Sequence, residues 1–388
     1  MFSISNNILE LKKYLNIKLD NLCIRIGFII GKIIPIKEKN IILATNRSEF
    51  LNGNLKILND ALCQDKKLKI ITYLKNNNLN KIDLVKMYYN FATAKYIFID
   101  DYYYRIYGMK FKKKTEVIQL WHACGAFKRF GFSAINLGDS NTIEFEKKAH
   151  INYTKVITSS KEVNKYYSEA FGISEEKIFA LGVPKSDLIL NSEYINNIKN
   201  FLLKEYSILK GKKIVTYAPT FRGDINKRKK FDLKLNFEKI LESIGCEYII
   251  ILKLHPSVDI SNLEIPKKYS NNILDLSIYK EINDILIITD ILITDYSSVI
   301  FDYSLLERPM IFFSHDLETY LDERNFYYDY KKLVPGPIAY TTDDVIYYIL
   351  YHQFDLDYVR NFKKKFFDDF DGKATKRIID TIINEKNL

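Results

Sequence analysis

At 388 residues the chain is long for one hydrophobic core and comfortable for two α/β domains. Apolar residues make up 47% and charged residues 27%, a globular balance that excludes wholesale disorder. The formal net charge of +10 suits anionic partners, although a composition this rich in Lys, Asn, Ile and Tyr also follows from AT-rich coding.

Residues 8–35 set apolar positions (Leu9, Leu11, Leu15, Ile17) against basic ones (Lys12, Lys13, Lys18) at helical spacing. Two readings of this segment stay open: a basic amphipathic helix on an anionic bilayer, or a first helix covering a sheet. Met1 to Leu11 lacks the basic start and apolar core of a secretory signal. The longest apolar stretch, Ile24 to Ile36, is interrupted by Arg25, Gly31, Lys32 and Pro35, short of the roughly 18 residues that a spanning helix needs. The four cysteines (Cys23, Cys63, Cys124, Cys246) are scattered, which points to a reducing, cytoplasmic setting. A chain of this kind is not expected to be integral to a membrane, yet it can still sit on one.

From Asn40 the pattern changes to short apolar runs separated by helical segments. Ile41–Ala44, Leu68–Tyr73, Tyr96–Ile99, Glu116–Leu120, Val156–Thr158 and Ile178–Leu181 read as strands, closed by Gly182-Val183-Pro184. A polar helix over Asn191–Leu209 leads to a second series at Lys212–Tyr217, Tyr248–Leu252, Ile273–Asp275, Ile291–Thr294 and Met310–Phe313. The chain then ends in a Lys-rich helical segment over Leu356–Asn387. Two doubly wound, mostly parallel α/β halves facing a cleft are expected. The boundaries predicted are 1–38 for the N-terminal helix, 39–195 and 196–354 for the two halves, and 355–388 for the tail. No glycine-rich loop of the dinucleotide or P-loop kind is present.

The polar residues of interest follow strand ends, where open α/β sheets place ligands. In Ile291-Leu292-Ile293-Thr294-Asp295-Tyr296-Ser297-Ser298, a strand runs into a polar turn and a helix start. The hydroxyls of Thr294, Ser297 and Ser298 and the free N–H groups would suit a diphosphate, although the same residues also make an ordinary helix cap. Asp295 and Asp302 lie close to the turn; Asp295 suits the orienting of a loop better than the binding of a metal. His255, in Leu252-Lys253-Leu254-His255-Pro256, is set to donate to a diphosphate. Thr220 and Arg222, in Thr216-Tyr217-Ala218-Pro219-Thr220-Phe221-Arg222-Gly223, form a strand-end loop with an arginine clamp. In the first half, His122 follows the strand ending at Leu120, and in that place can take a proton from an acceptor hydroxyl. Gly125, Lys128 and Arg129 follow it, and Pro184 starts a turn at the junction of the halves. Cys124 lacks the local base that a nucleophile needs.

Together these segments resemble the CDP-glycerol glycerophosphotransferase family of teichoic acid and capsule-polymer enzymes. The resemblance rests on Trp121-His122, Gly182-Val183-Pro184-Lys185-Ser186-Asp187, Tyr217–Arg222, Leu252–Pro256 and Ile293–Ser298, in that order, with Phe301–Pro309 and Pro335-Gly336-Pro337 behind them. It implies a glycosyltransferase-B-like fold of two Rossmann-type domains, with His122 as base and His255 assisting the phosphate. It also implies that Thr220, Arg222, Lys253, Thr294, Asp295, Ser297, Ser298 and Asp302 lie around the donor, CDP-glycerol or CDP-ribitol, that a lipid-linked anionic polymer is the acceptor, and that the chain is peripheral on the inner face of the membrane. Where many glycerophosphate polymerases have Gly-Thr-Pro-Leu-Lys after the Trp-His pair, this chain has Ala-Cys-Gly-Ala-Phe-Lys, closer to ribitol-phosphate and capsule-type relatives. No long domain precedes the first half, which favours single-unit transfer over processive polymerisation. The chemistry requires no cofactor, no metal ligands are identified, and metal dependence stays open. A nucleotide-sugar transferase on the same scaffold is the rival enzyme reading. A non-catalytic binder of nucleic acid or anionic polymer is disfavoured, since the basic residues are not interleaved with aromatics on one module.

Overall fold

The computed structural model describes residues 2–75, 79–138, 140–220, 234–254 and 267–384. Its contacts divide the chain into two compact units, residues 1–122, 147–157 and 378–388 in one and 123–146 and 158–377 in the other. The chain first passes from one unit to the other between His122 and Ala123.

The first unit opens with a helix over Phe2–Ile33. A Cβ at Gly27 would stand 2.2 Å from the Val85 carbonyl oxygen, and one at Gly31 would stand 2.6 Å from the Ala92 Cβ. Only glycine permits that approach, so the helix packs along the helix Lys81–Thr93 on its glycine-bearing face. Leu15, Leu22, Ile26, Ile29 and Ile33 stay exposed, as do Lys13 and Lys18. Among the described residues no helix is long and apolar enough to cross a membrane.

Strands β1 (Lys37–Ala44), β2 (Lys69–Tyr73), β3 (Ala94–Ile99), β4 (Glu116–Gln119) and β5 (Lys155–Thr158) lie side by side in the order β2-β1-β3-β4-β5, each pair parallel. Ile41 to Ala44 are fully buried, the continuous apolar run of a strand covered on both faces. The register pairs Ala44 with Ile99 and Ile99 with Gln119, so the carboxyl ends of β1, β3 and β4 coincide.

The second unit carries β6 (Ile178–Ala180), β7 (Lys213–Tyr217), β8 (Tyr248–Leu252), β9 (Ile273–Asp275), β10 (Ile291–Thr294), β11 (Met310–Phe313) and β12 (Ile338–Ala339). Its sheet is parallel in the order β12-β11-β10-β7-β8-β9. Val215, Ile250, Leu252, Ile293 and Ile311 pack there against Ile240 and Leu241 of the helix Phe237–Ile244. Tyr217 pairs with Leu252 and Leu252 with Asp275, which again brings the loops after the strands to one edge.

Three details depart from the pattern. Strand β12 is two residues long, too short for periodicity to reveal. The helix expected to reach Leu209 ends at Glu205, followed by a 3-10 turn at Ser207–Leu209. The expected helical tail is broken: Leu356–Phe366 and Ala374–Ile378 are separate, with Gly372 left-handed between them at φ 73°. The Asp187 carboxylate accepts from the amides of Ala374 (2.9 Å) and Thr375 (2.8 Å), capping the second piece.

Candidate functional site

In the first unit, Thr45 and Arg47 follow β1, Asp100 and Asp101 follow β3, and His122 follows β4. Trp121, between β4 and the histidine, is left-handed at φ 52°, a conformation that costs an L-residue about 1–2 kcal/mol. Polar contacts hold it there. Its backbone amide donates to Gln119 Oε1 (2.9 Å), and its carbonyl accepts from buried Asn54 Nδ2 (3.0 Å). The turn lays the imidazole of His122 against the indole, with ring centroids 4.4 Å apart. Nδ1 then stands 3.3 Å from the Asp100 carbonyl oxygen and 4.0 Å from Asp101 Oδ2. A carbonyl only accepts, so Nδ1 carries the hydrogen at this contact and Nε2 is the basic nitrogen of the neutral ring.

Arg47 Nη1 reaches the same Asp101 oxygen at 3.8 Å. Burial pushes the Asp100 carboxyl up to about 6, against hydrogen bonding by Thr45 and the charge of Arg47; burial also raises Asp101. The sequence reading passed over Arg47, Asp100 and Asp101. The signal was there, because Ile99-Asp100-Asp101 is a polar step at a strand's carboxyl end of the kind that singled out His122. A carboxyl whose folded pKa lies above its unfolded value favours folding below the ordinary carboxylate range, and that contribution is lost as pH rises through about 6. Asp100→Asn is therefore expected to raise stability by up to about 3 kcal/mol at pH 8, with no gain near pH 4. Thermal melts at the two pH values check this; a loss at pH 8 would show that the ionised carboxylate stabilises the fold.

In the second unit, Asp295 Oδ1 accepts from the amides of Thr220 (2.8 Å) and Tyr296 (2.5 Å), tying the loop after β7 to the loop after β10. The hydroxyl of Thr294, expected to face a phosphate, is fully buried and donates to the Ala218 carbonyl (2.7 Å). The Lys253 ammonium is half-buried on the carbonyls of Ser277 (2.9 Å) and Tyr279 (2.7 Å), and burial lowers its pKa. The helix after the serines spans only Val299–Ser304. Ser297 Oγ accepts from the Val299 amide (3.3 Å), while Ser298, partly exposed, makes no side-chain cap to that helix.

Asp302, expected beside the donor, is instead buried in an ion pair with Lys185 (2.8 Å) and accepts from the Cys124 thiol (3.3 Å). Burial, and then the charge of Asp302, holds that thiol well above its ordinary range, so it stays protonated. Gly125 packs on Phe301, whose ring would lie 2.2 Å from an added Cβ. The Lys128 ammonium sits over Tyr320, Arg129 pairs with Glu169 (4.0 Å), and buried Pro184 starts the 3-10 turn that carries Lys185. The structure thus brings Thr220, Asp295, Ser297 and Ser298 to one sheet edge, while the Thr294 hydroxyl is engaged by the Ala218 carbonyl and the Asp302 carboxylate by Lys185. Arg222 and His255 lie outside the described residues. Among the described residues no cluster of three His, Cys, Asp or Glu is placed to hold a metal ion.

The family model for CDP-glycerol:poly(glycerophosphate) glycerophosphotransferase matches residues 28–384. The chain belongs to this family. It is similar to the teichoic acid poly(ribitol-phosphate) polymerase of Bacillus spizizenii, at 39% identity over 94% of this chain and 60% of that protein. The teichoic acid ribitol-phosphate primase of the same organism is 33% identical over 91% of this chain and 93% of its own length. The chain therefore spans about three-fifths of that polymerase and nearly all of that primase. Among solved structures, a variant of the wall teichoic acid polymerase TagF superposes with a TM-score of 0.81 at 23% identity, over 99% of this chain and 98% of that one. That likeness shows the fold: two parallel-sheet α/β units.

Proposed function

We propose that the chain transfers ribitol phosphate, or glycerol phosphate, from a CDP-alditol to a hydroxyl of an anionic polymeric acceptor in teichoic acid or capsule-type synthesis. The observation that carries the reading is the imidazole of His122, hydrogen-bonded through Nδ1 to the Asp100 carbonyl at a strand's carboxyl end. Family membership gives that base its reaction. The acceptor oxygen attacks the β-phosphorus of the donor and a new P–O bond forms. The bond from that phosphorus to the bridging oxygen breaks, and its electron pair leaves with CMP. Nε2 of His122 takes the acceptor's proton. On a glycosyltransferase-B-like scaffold, the first α/β half serves the acceptor and the second holds the donor.

Ser297 and Ser298 are the diphosphate contacts in this reading, joined by Arg222 and His255, while Thr220 and Asp295 shape the loop beneath them. The exposed apolar and basic side chains of the helix Phe2–Ile33 support peripheral contact with an anionic membrane face, where a lipid-linked acceptor would be met. Ribitol is the preferred alditol, because the two relatives above carry ribitol phosphate in their names.

The experiment is CMP release by the purified chain from CDP-ribitol and CDP-glycerol in turn, with a glycerol-phosphate-primed acceptor. Faster release from CDP-ribitol is expected. Faster release from CDP-glycerol would overturn the alditol, and failure to bind CDP at all would overturn the reaction.

A further inference from the structure

Three groups at the carboxyl ends of β1, β3 and β4 share one carboxylate. Asp101 Oδ2 stands 3.8 Å from Arg47 Nη1 and 4.0 Å from His122 Nδ1, so guanidinium and imidazole lie within about 8 Å of each other. All three side chains are open to solvent: Arg47 is 41% exposed, His122 35% and Asp101 27%. We propose that Arg47 and Asp101 read the end of the acceptor, Arg47 binding the phosphodiester of its terminal unit and Asp101 accepting from the hydroxyls beside it. The inference rests on the reaction proposed above and adds what the acceptor must carry.

Its chemistry follows from what each group offers. The guanidinium of Arg47 acts by its charge on Asp100 and Asp101, and its ion pair with Asp101 is, at 3.8 Å, longer than a hydrogen bond. A planar fork of donors held at that distance has the geometry that suits two oxygens of a phosphate. The Arg47 amide donates to Thr45 Oγ1 (3.1 Å), which fixes the turn that presents the side chain. A three- to five-carbon alditol carries its terminal hydroxyl and its phosphate at opposite ends, one for His122 and the other for Arg47. The hydroxyls between them meet Asp101, a pure acceptor when ionised. Burial raises the pKa of both carboxyls, Asp100 to about 6, so the pair sets less charge against a phosphate below that pH than above it.

The test compares two synthetic acceptors with the same terminal alditol, one joined through a phosphodiester and one through a neutral ether. Wild-type chain is expected to favour the phosphodiester in kcat/KM by about 10- to 100-fold, the range of a charged hydrogen-bonded contact. Arg47→Gln should erase that preference, the loss falling on KM, and Arg47→Lys should restore only part of it. Unchanged preference in Arg47→Gln would overturn the proposal. Binding of the phosphodiester acceptor without donor, titrated by calorimetry, decides the matter even if no CMP is released. Weaker binding by Arg47→Gln sustains the site, and equal binding by both proteins ends it. CMP release from neither acceptor by wild-type chain that still binds the phosphodiester would count against the reaction and leave the acceptor site standing.

Discussion

His122→Ala is expected to cut CMP release by about 10²–10⁴-fold, the usual contribution of a positioned general base, without weakening CDP binding. The magnitude follows from the geometry. The left-handed Trp121, clamped by Gln119 and Asn54, turns the imidazole so that Nδ1 meets the Asp100 carbonyl. In the proposed reaction Nε2 takes the acceptor's proton, so losing it would remove an interaction made in the transition state. Such a loss lowers kcat and kcat/KM together. His122→Asn should fare no better, since an amide can occupy the Nδ1 position but cannot take a proton. Steady-state kinetics with a parallel CDP titration check the prediction. A variant that loses CDP affinity along with turnover would show a histidine needed for the fold or the donor instead of the proton.

Most of the fold was legible because each strand is a short, nearly continuous apolar run. Ile41-Ile42-Leu43-Ala44 and Tyr248–Leu252 are buried along their whole length, and the punctuation between them set the α/β rhythm. What could not be read was direction and distant pairing. Thr294 looks like a phosphate ligand in sequence, yet it is the last residue of β10, and its hydroxyl turns inward to the Ala218 carbonyl. Asp302 finds Lys185 across 117 positions, a partnership that no local pattern encodes. Asp187, in the same motif as Lys185, caps the helix at Ala374. Arg47, Asp100 and Asp101 were overlooked for a different reason. Arginine and aspartate after a strand look like ordinary surface residues until the register brings three strand ends together.

The pairing of Lys185 with Asp302 leads to the second large effect. Both side chains are nearly out of solvent, 12% and 10% exposed, and the carboxylate also accepts from the Cys124 thiol. Removing the cation alone leaves a buried charge whose remaining partner, among the described residues, is a weak thiol donor, so Lys185→Met is expected to destabilise the second unit by about 3–5 kcal/mol. Replacing both partners removes the stranded charge as well, and Lys185→Met/Asp302→Leu should recover most of the loss. Denaturant melts of the two variants check the stability. The double variant separates two roles for Asp302, because it keeps the packing while deleting the carboxylate. Retained CDP affinity in that protein would make Asp302 a structural anchor tying its helix to the turn at Pro184. Lost affinity in a protein that melts like the wild type would return Asp302 to the donor, with the ion pair with Lys185 serving to hold the carboxylate where the nucleotide needs it.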